Sequence, residues 1–176
     1  MLNLHLGCGS NYIKGWVNID LNKGDVKYDL RKPLPYKNNT VNFIFNEAFY
    51  EHLNYLEQIS FLKDCYRVLA PNGVLRTACP DLDFCVKLYL NKEFLKEPWT
   101  QSVGTYCHTN CQALNAAFYL WGHKYIPDYE DYTMKLKGAG FSNYYRCEFK
   151  KSSYDILNNL ETRDTSQDSL IVEAVK

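Results

Sequence analysis

Three groups of residues in this 176-residue sequence have types and spacings that could do chemistry. The first is LHLGCGSNYIKGWVNID, residues 4–20, where an apolar start runs into Gly7-Cys8-Gly9 and reaches Asp20 eleven residues after Gly9. Glycines allow a backbone to approach a ligand closely, and a carboxylate at the end of the following strand can accept hydrogen bonds from both hydroxyls of a ribose. A dinucleotide fingerprint is excluded, because Tyr12 holds its third glycine position and the acid arrives well before the usual spacing of about 20 residues. A phosphate loop is excluded too, since no Gly-Lys-Ser or Gly-Lys-Thr follows. What remains suits an adenosine ligand that has no pyrophosphate. The second holds two separate candidates, Glu51-His52 at the start of a helical segment and His123 in LWGHKY, in the variable region that would cover the open end of the sheet. Any of these three could act as an acid or base facing a substrate, while Glu51-His52 could equally be an exposed first-turn pair complementing a helix N-terminus. The third is Cys107, His108 and Cys111, with Cys79 and Cys85 nearby in sequence. It contains no Cys-x-x-Cys, so it reads as a set of thiols, and no metal is expected.

These groups need elements to position them. Residues 2–6 alternate and end in glycines, which predicts a strand entering a tight turn. Further strands are predicted at 16–20, 25–30 and 41–46, with RKPLPYKNNT as a turn-rich connection whose prolines preclude regular pairing. A helix is predicted over 54–69, capped by Asn54 with Glu57 three residues on and stopped by Pro71-Asn72-Gly73. The strand GVLRTAC, 73–79, follows and closes at Pro80-Asp81. Residues 82–128 read as a variable helical insertion, with pieces at 83–92 and 110–121 separated by the region of Pro98, Trp99 and Gly104. A helix at 128–138, a Gly138-Ala-Gly140 stop, a strand at 143–150 and the closing strand SLIVEAV complete the pattern. Strands alternating with helices, then a strand pair with no helix between, predict an open α/β sheet, mostly parallel with an antiparallel last strand.

Composition limits the function classes. Twenty basic residues balance twenty acidic ones, with no run of five like charges, so there is no strong nucleic-acid signal. No run of eighteen apolar residues and no secretion signal occur, which predicts a cytoplasmic protein without a membrane segment, folded as one domain over 1–176. Seven cysteines, an odd number, at irregular spacings fit reduced thiols. Nothing in the sequence reports an oligomeric state.

In order along the chain, LHLGCGS, NID, YDL, VNFIFNEAFYEHL and CYRVLAPNGVLRTACPD resemble the motifs of class I S-adenosylmethionine-dependent methyltransferases, in particular a small branch with GWVNID and EHL patterns. The resemblance covers residues 3–81 and, loosely, 128–176. It implies a Rossmann-like methyltransferase sheet and S-adenosylmethionine as cofactor. Gly7, Cys8 and Gly9 would then lie along the methionine part, Asp20 would hold the ribose, and Asp29 with the Leu30 backbone would read the adenine. Asn46 or Glu47 would sit under the sulfonium. His5 stands where such proteins usually carry an acid for the ligand's amino group, and the first helix has room for only about one turn between Ser10 and Trp16. The motif expected for methylating nucleobase or glutamine amino groups is missing after VNFIFN. The implied function is methyl transfer to a small-molecule or sugar-containing acceptor. The alternative is a degenerate module that binds the cofactor or its demethylated product and serves in regulation or partner binding.

Overall fold

A computed structural model of the chain describes residues 2–102, 107–162 and 169–176. Seven strands form one sheet: β1 (Asn3–Leu6), β2 (Val17–Asp20), β3 (Val26–Lys27), β4 (Val41–Glu47), β5 (Leu69–Pro80), β6 (Asn143–Arg146) and β7 (Ser169–Val175). Their order is β3-β2-β1-β4-β5-β7-β6, parallel from β3 to β5, with β7 antiparallel to both β5 and β6. This is the Rossmann-like sheet of class I methyltransferases. The strand order reverses between β1 and β4, and in such sheets ligands bind beyond the carboxyl ends of the strands at that point.

Among the described residues the α-helices are α1 (Tyr55–Val68), α2 (Leu82–Leu90), α3 (Pro98–Ser102), α4 (Asn110–Tyr119) and α5 (Tyr129–Ala139). The capping box predicted for α1 is present: Glu57 N–H donates to Asn54 Oδ1 at 3.0 Å and Asn54 N–H donates to Glu57 Oε2 at 2.8 Å. Phe61, Leu62, Cys65 and Val68 of α1, with Tyr132 and Leu136 of α5, cover one face of the sheet. Gly140, at φ 114, ends α5.

Among the described residues, the opposite face has no long helix. Ten residues, 7–16, join β1 to β2 and form turns rather than the single helical turn expected there. Asn18 holds this loop from below. Its Oδ1 accepts from Ile13 N–H at 2.8 Å, and its Nδ2 donates to Ile13 O, Trp16 O and Asp25 Oδ2. Trp16 then packs with Phe45, Val74 and Leu157, so the loop and the irregular segment 147–162 close this side. Arg76, fully buried, ties that segment down through Glu161 at 2.6 Å and Glu173 of β7 at 2.5 Å.

Several elements differ from the sequence pattern. β1 is buried at all four residues rather than alternating, because it lies inside the sheet with both faces covered. β3 keeps only two residues of the predicted 25–30, since the chain turns into the Pro33 and Pro35 connection, where Tyr28 Oη donates to Pro33 O at 2.5 Å. β6 ends at Arg146 instead of residue 150, with Lys150 in the left-handed region. β5 starts at Leu69 rather than Gly73 and absorbs the Pro-Asn-Gly stop as a register shift against β4. In the segment 82–128, read from the sequence as an insertion, α2, α4 and a cluster of Cys85, Leu88, Phe94, Cys107, Ala113 and Ala117 form a small core of their own. Pro98 starts α3 instead of breaking the chain, a position suited to its fixed φ. Gly104 lies outside the described residues. Among the described residues, no helix is long and apolar enough to cross a membrane.

Candidate functional site

The carboxyl ends of β1, β2 and β4 surround a cavity of about 700 Å³, inside the usual range of about 300–1,000 Å³ for small-molecule sites. Its lining includes His5, Gly7, Cys8, Gly9, Asp20, Asp29, Leu30 and Glu47, eight of the nine cofactor positions expected from the sequence. Asn46 is the exception. It neighbours Glu47 on β4, so the strand's alternation turns its side chain the other way, where it is fully buried and donates to Thr77 Oγ1 at 2.9 Å.

The glycine loop is shaped by contacts on one side and open space on the other. Gly7, at φ 71, has no room for a side chain: a Cβ there would meet Phe49 at 2.5 Å. Gly9, at φ 52, would meet nothing within 4 Å. Asp20 closes the loop from the end of β2, its Oδ2 accepting from Gly9 N–H at 3.1 Å and its Oδ1 from Asn22 and Lys23 N–H at 2.9 and 3.1 Å. Three of a carboxylate's roughly four acceptor positions are thus taken by the backbone. A ribose diol using both remaining and shared positions would compete with one of those loop bonds.

Electrostatics differ along the cavity. Arg31 pairs with Asp29 at 2.8 Å and holds its carboxyl down to about 2, so this acid is ionised across the physiological range. His5 is buried against Phe45, with Nδ1 at 3.2 Å from Asn18 Oδ1, and its burial lowers its pKa below the ordinary 6.5. The position that an acid would occupy therefore carries a neutral ring at pH 7. Burial, and then the nearby Asp20, push the Cys8 thiol up, which keeps it protonated.

A second cavity, about 160 Å³, lies between the sheet and the insertion. Phe84, Leu88, Phe94, Trp99, Ala117 and Trp121 give it an apolar aromatic wall, with Cys79 and Cys85 beside them. Burial raises the Cys79 thiol well above its ordinary range, so it behaves as an apolar group. The two cavities share Glu47 and Ala48. Ala48 sits at φ 50, in the left-handed region that residues other than glycine adopt infrequently, and its N–H donates to Ala78 O at 2.9 Å. Thr162, from the irregular segment, donates to the Glu47 carboxylate through its N–H and Oγ1.

Glu51, His52 and His123 come together at this boundary. Glu51 and His52 occupy a 3₁₀ turn, Tyr50–His52, ahead of α1, and the Glu51 side chain is fully buried rather than an exposed partner of the helix end. Lys124 and Tyr125 N–H both donate to Glu51 O, at 2.8 and 3.2 Å, which fastens the turn to the segment after α4. His123 lies with Nε2 at 3.8 Å from Glu51 Oε1, and the His52 and His123 rings meet edge to face at 5.0 Å. His52 lines the larger cavity and His123 the smaller one. Cys107 is buried in the insertion core while Cys111 is exposed, so the third sequence group is not gathered into one cluster.

Sequence patterns missed four contributors: Phe49 beneath Gly7, Asn18 beneath the loop, Thr162 on Glu47, and Lys124 at the cavity rim. Only Asn18 carried a signal, as a polar residue in the middle of a buried strand.

Residues 9–77 match the sequence model of the methyltransferase domain family. No curated protein matches the chain. Among solved structures, a S-adenosylmethionine-dependent methyltransferase from Thermotoga maritima is similar in fold, with TM-score 0.61 and 15% identity over 99% of this chain and 82% of that one. Another from Archaeoglobus fulgidus gives TM-score 0.60 and 16% identity over 99% and 85%. One from Mesorhizobium loti gives 0.57 and 13% over 99% and 90%. The family match and the fold imply S-adenosylmethionine as the cofactor, and the open face of Gly9, the Asp20 carboxylate and the cavity volume fit a ligand of that kind.

Proposed function

We propose that the chain, read as one domain over 1–176, is an enzyme that transfers a methyl group from S-adenosylmethionine to a small, largely apolar acceptor carrying a hydroxyl or amine. The observation that carries this reading is the meeting of a large polar cavity and a small aromatic one at Glu47 and Ala48, which offers donor and acceptor separate chambers with a common wall. The aromatic lining favours an apolar small molecule over a sugar-containing one. When bound, the cofactor supplies an already activated methyl, so the protein's task is mainly alignment and exclusion of water.

In this reading Gly7, Cys8 and Gly9 follow the methionine part, Asp20 holds the ribose, Asp29 and the Leu30 backbone face the adenine, and Glu47 stands beside the reacting centre. The 82–128 insertion supplies the acceptor chamber. His123 accepts a proton from the acceptor at Nε2, since Nδ1 is committed to Ala117 O at 2.7 Å. The buried Glu51 carboxylate stabilises the charge that His123 then gains, and His52 braces its ring.

Thermal unfolding with S-adenosylmethionine and S-adenosylhomocysteine tests the reading. Saturation at a hundredfold over the dissociation constant adds about 2.7 kcal/mol, which raises Tm by roughly 5–11 °C for a chain of this size. Asp20→Ala is expected to shrink the shift. No shift with either ligand overturns the reading. A second reading, binding without turnover, draws on the neutral His5 at the acid's place. Ligand binding with no methyl release across a panel of phenolic and amine acceptors would favour it.

A further inference from the structure

The cluster of Glu51, His52 and His123 supports more than acid-base chemistry. One ligand atom from each residue lies within 4.8 Å of the others. We propose that these three side chains bind one divalent first-row transition metal ion, of the zinc class, at the boundary between the two cavities. Two imidazoles and one carboxylate are the donor set of mononuclear sites that keep a coordination position open for an external ligand.

The surroundings are organised as such a site requires. Ala117 O, 2.7 Å from His123 Nδ1, accepts the ring's N–H and so leaves the lone pair on Nε2, the atom turned toward Glu51. A backbone carbonyl on the far nitrogen is the usual device that orients a ligating histidine. Glu51 is fixed through its carbonyl by Lys124 and Tyr125 N–H, so residues 51 and 123 keep their relation although 72 positions separate them in the chain. At 3.8 Å the His123–Glu51 approach is too long for a direct hydrogen bond. Bonds of about 2.1 Å would bring tetrahedral ligands to about 3.4 Å from one another, a closure that side-chain rotation can supply. His123 borders the aromatic cavity and His52 the polar one, so an ion held by both lies at the boundary between them.

The catalytic consequence rests on the proposed methyl transfer, although metal binding itself does not. A cation there lowers the pKa of a hydroxyl in its open position and takes over the task otherwise given to His123. It also selects acceptors that offer an oxygen or nitrogen ligand beside an apolar body.

The full chain, stripped with a chelator and dialysed, is titrated with zinc against a chromophoric chelator and with cobalt(II) followed by visible absorption, in the absence of any cofactor. The expected result is one equivalent bound with a tetrahedral or five-coordinate cobalt spectrum. His123→Ala and His52→Ala should each weaken binding at least tenfold, while His108→Ala/Cys111→Ser should not. His52 is only partly buried, so that variant decides the matter even if changes at buried Glu51 or His123 prevent folding. No stoichiometric uptake, or unchanged affinity in His52→Ala, overturns the proposal, as does loss of binding in the His108/Cys111 variant. S-adenosylhomocysteine binding measured separately on the wild type distinguishes the two readings: metal uptake without it removes the methyl-transfer reading alone, and the reverse removes the metal site alone.

Discussion

Gly7 and Gly9 lie two residues apart, both with positive φ, yet adding a methyl group should damage different properties at the two positions. At Gly7 an alanine takes on left-handed backbone strain of about 1–3 kcal/mol. Its Cβ also falls 2.5–2.6 Å from Phe49 Cβ, Cγ and Cδ2, an overlap that must push the ring and costs about 1–3 kcal/mol more. The expected loss of stability is about 2–6 kcal/mol. At Gly9 the strain is similar or smaller, about 1–2 kcal/mol, and the methyl meets no protein atom within 4 Å. That methyl projects into the cavity instead, so Gly9→Ala should weaken S-adenosylhomocysteine binding at least tenfold, about 1.4 kcal/mol, while folding nearly as well as the parent. Urea denaturation gives the stabilities and calorimetry the affinities. A Gly7→Ala/Phe49→Ala cycle should recover about 1–2 kcal/mol of coupling, because removing the ring removes the overlap. The reasoning fails if Gly7→Ala costs no more than Gly9→Ala, or if Gly9→Ala binds the ligand as tightly as the parent.

Three further outcomes follow from the packing. Arg76→Met leaves Glu161 and Glu173 buried without their cation and should cost about 3–5 kcal/mol in chemical denaturation, most of it regained when both acids are also made leucine; a cost below 1 kcal/mol refutes the assignment. Because burial lowers the His5 pKa below 6.5, the unfolded chain binds the proton more readily, so this group's contribution is fully present above pH 6.5 and is lost as pH falls toward the folded value. The slope is at most about 1.4 kcal/mol per pH unit, and His5→Gln should remove that share of it. Asn18→Ala should cost about 2–3 kcal/mol and expose the Ile13 amide to hydrogen exchange, while an equally protected amide in the variant would show that the loop is held by something else.

What the sequence determined by itself is local. The glycine turn, the Asn54 and Glu57 box, the stop at Gly140 and the places of the main strands depend on residues within a few positions of one another, where backbone sterics and short hydrogen bonds decide the outcome. Eight of the nine cofactor positions implied by the resemblance line one cavity, since each sits at or just beyond the carboxyl end of a strand. Asn46 departs because strand alternation assigns adjacent residues to opposite faces, and the pattern located the strand end without fixing which of the two faces the cavity. Tertiary structure decided the rest. The approach of His123 to Glu51 depends on how an insertion with its own small core docks on the sheet, and no spacing in the chain encodes that docking. The division into polar and aromatic chambers likewise exists only once the insertion covers the strand ends. Burial, too, is a property of the assembled molecule. It turned Glu51 from a surface acid into an interior one and left His5 neutral, because removing a charge from water becomes costly only after the surrounding elements have packed.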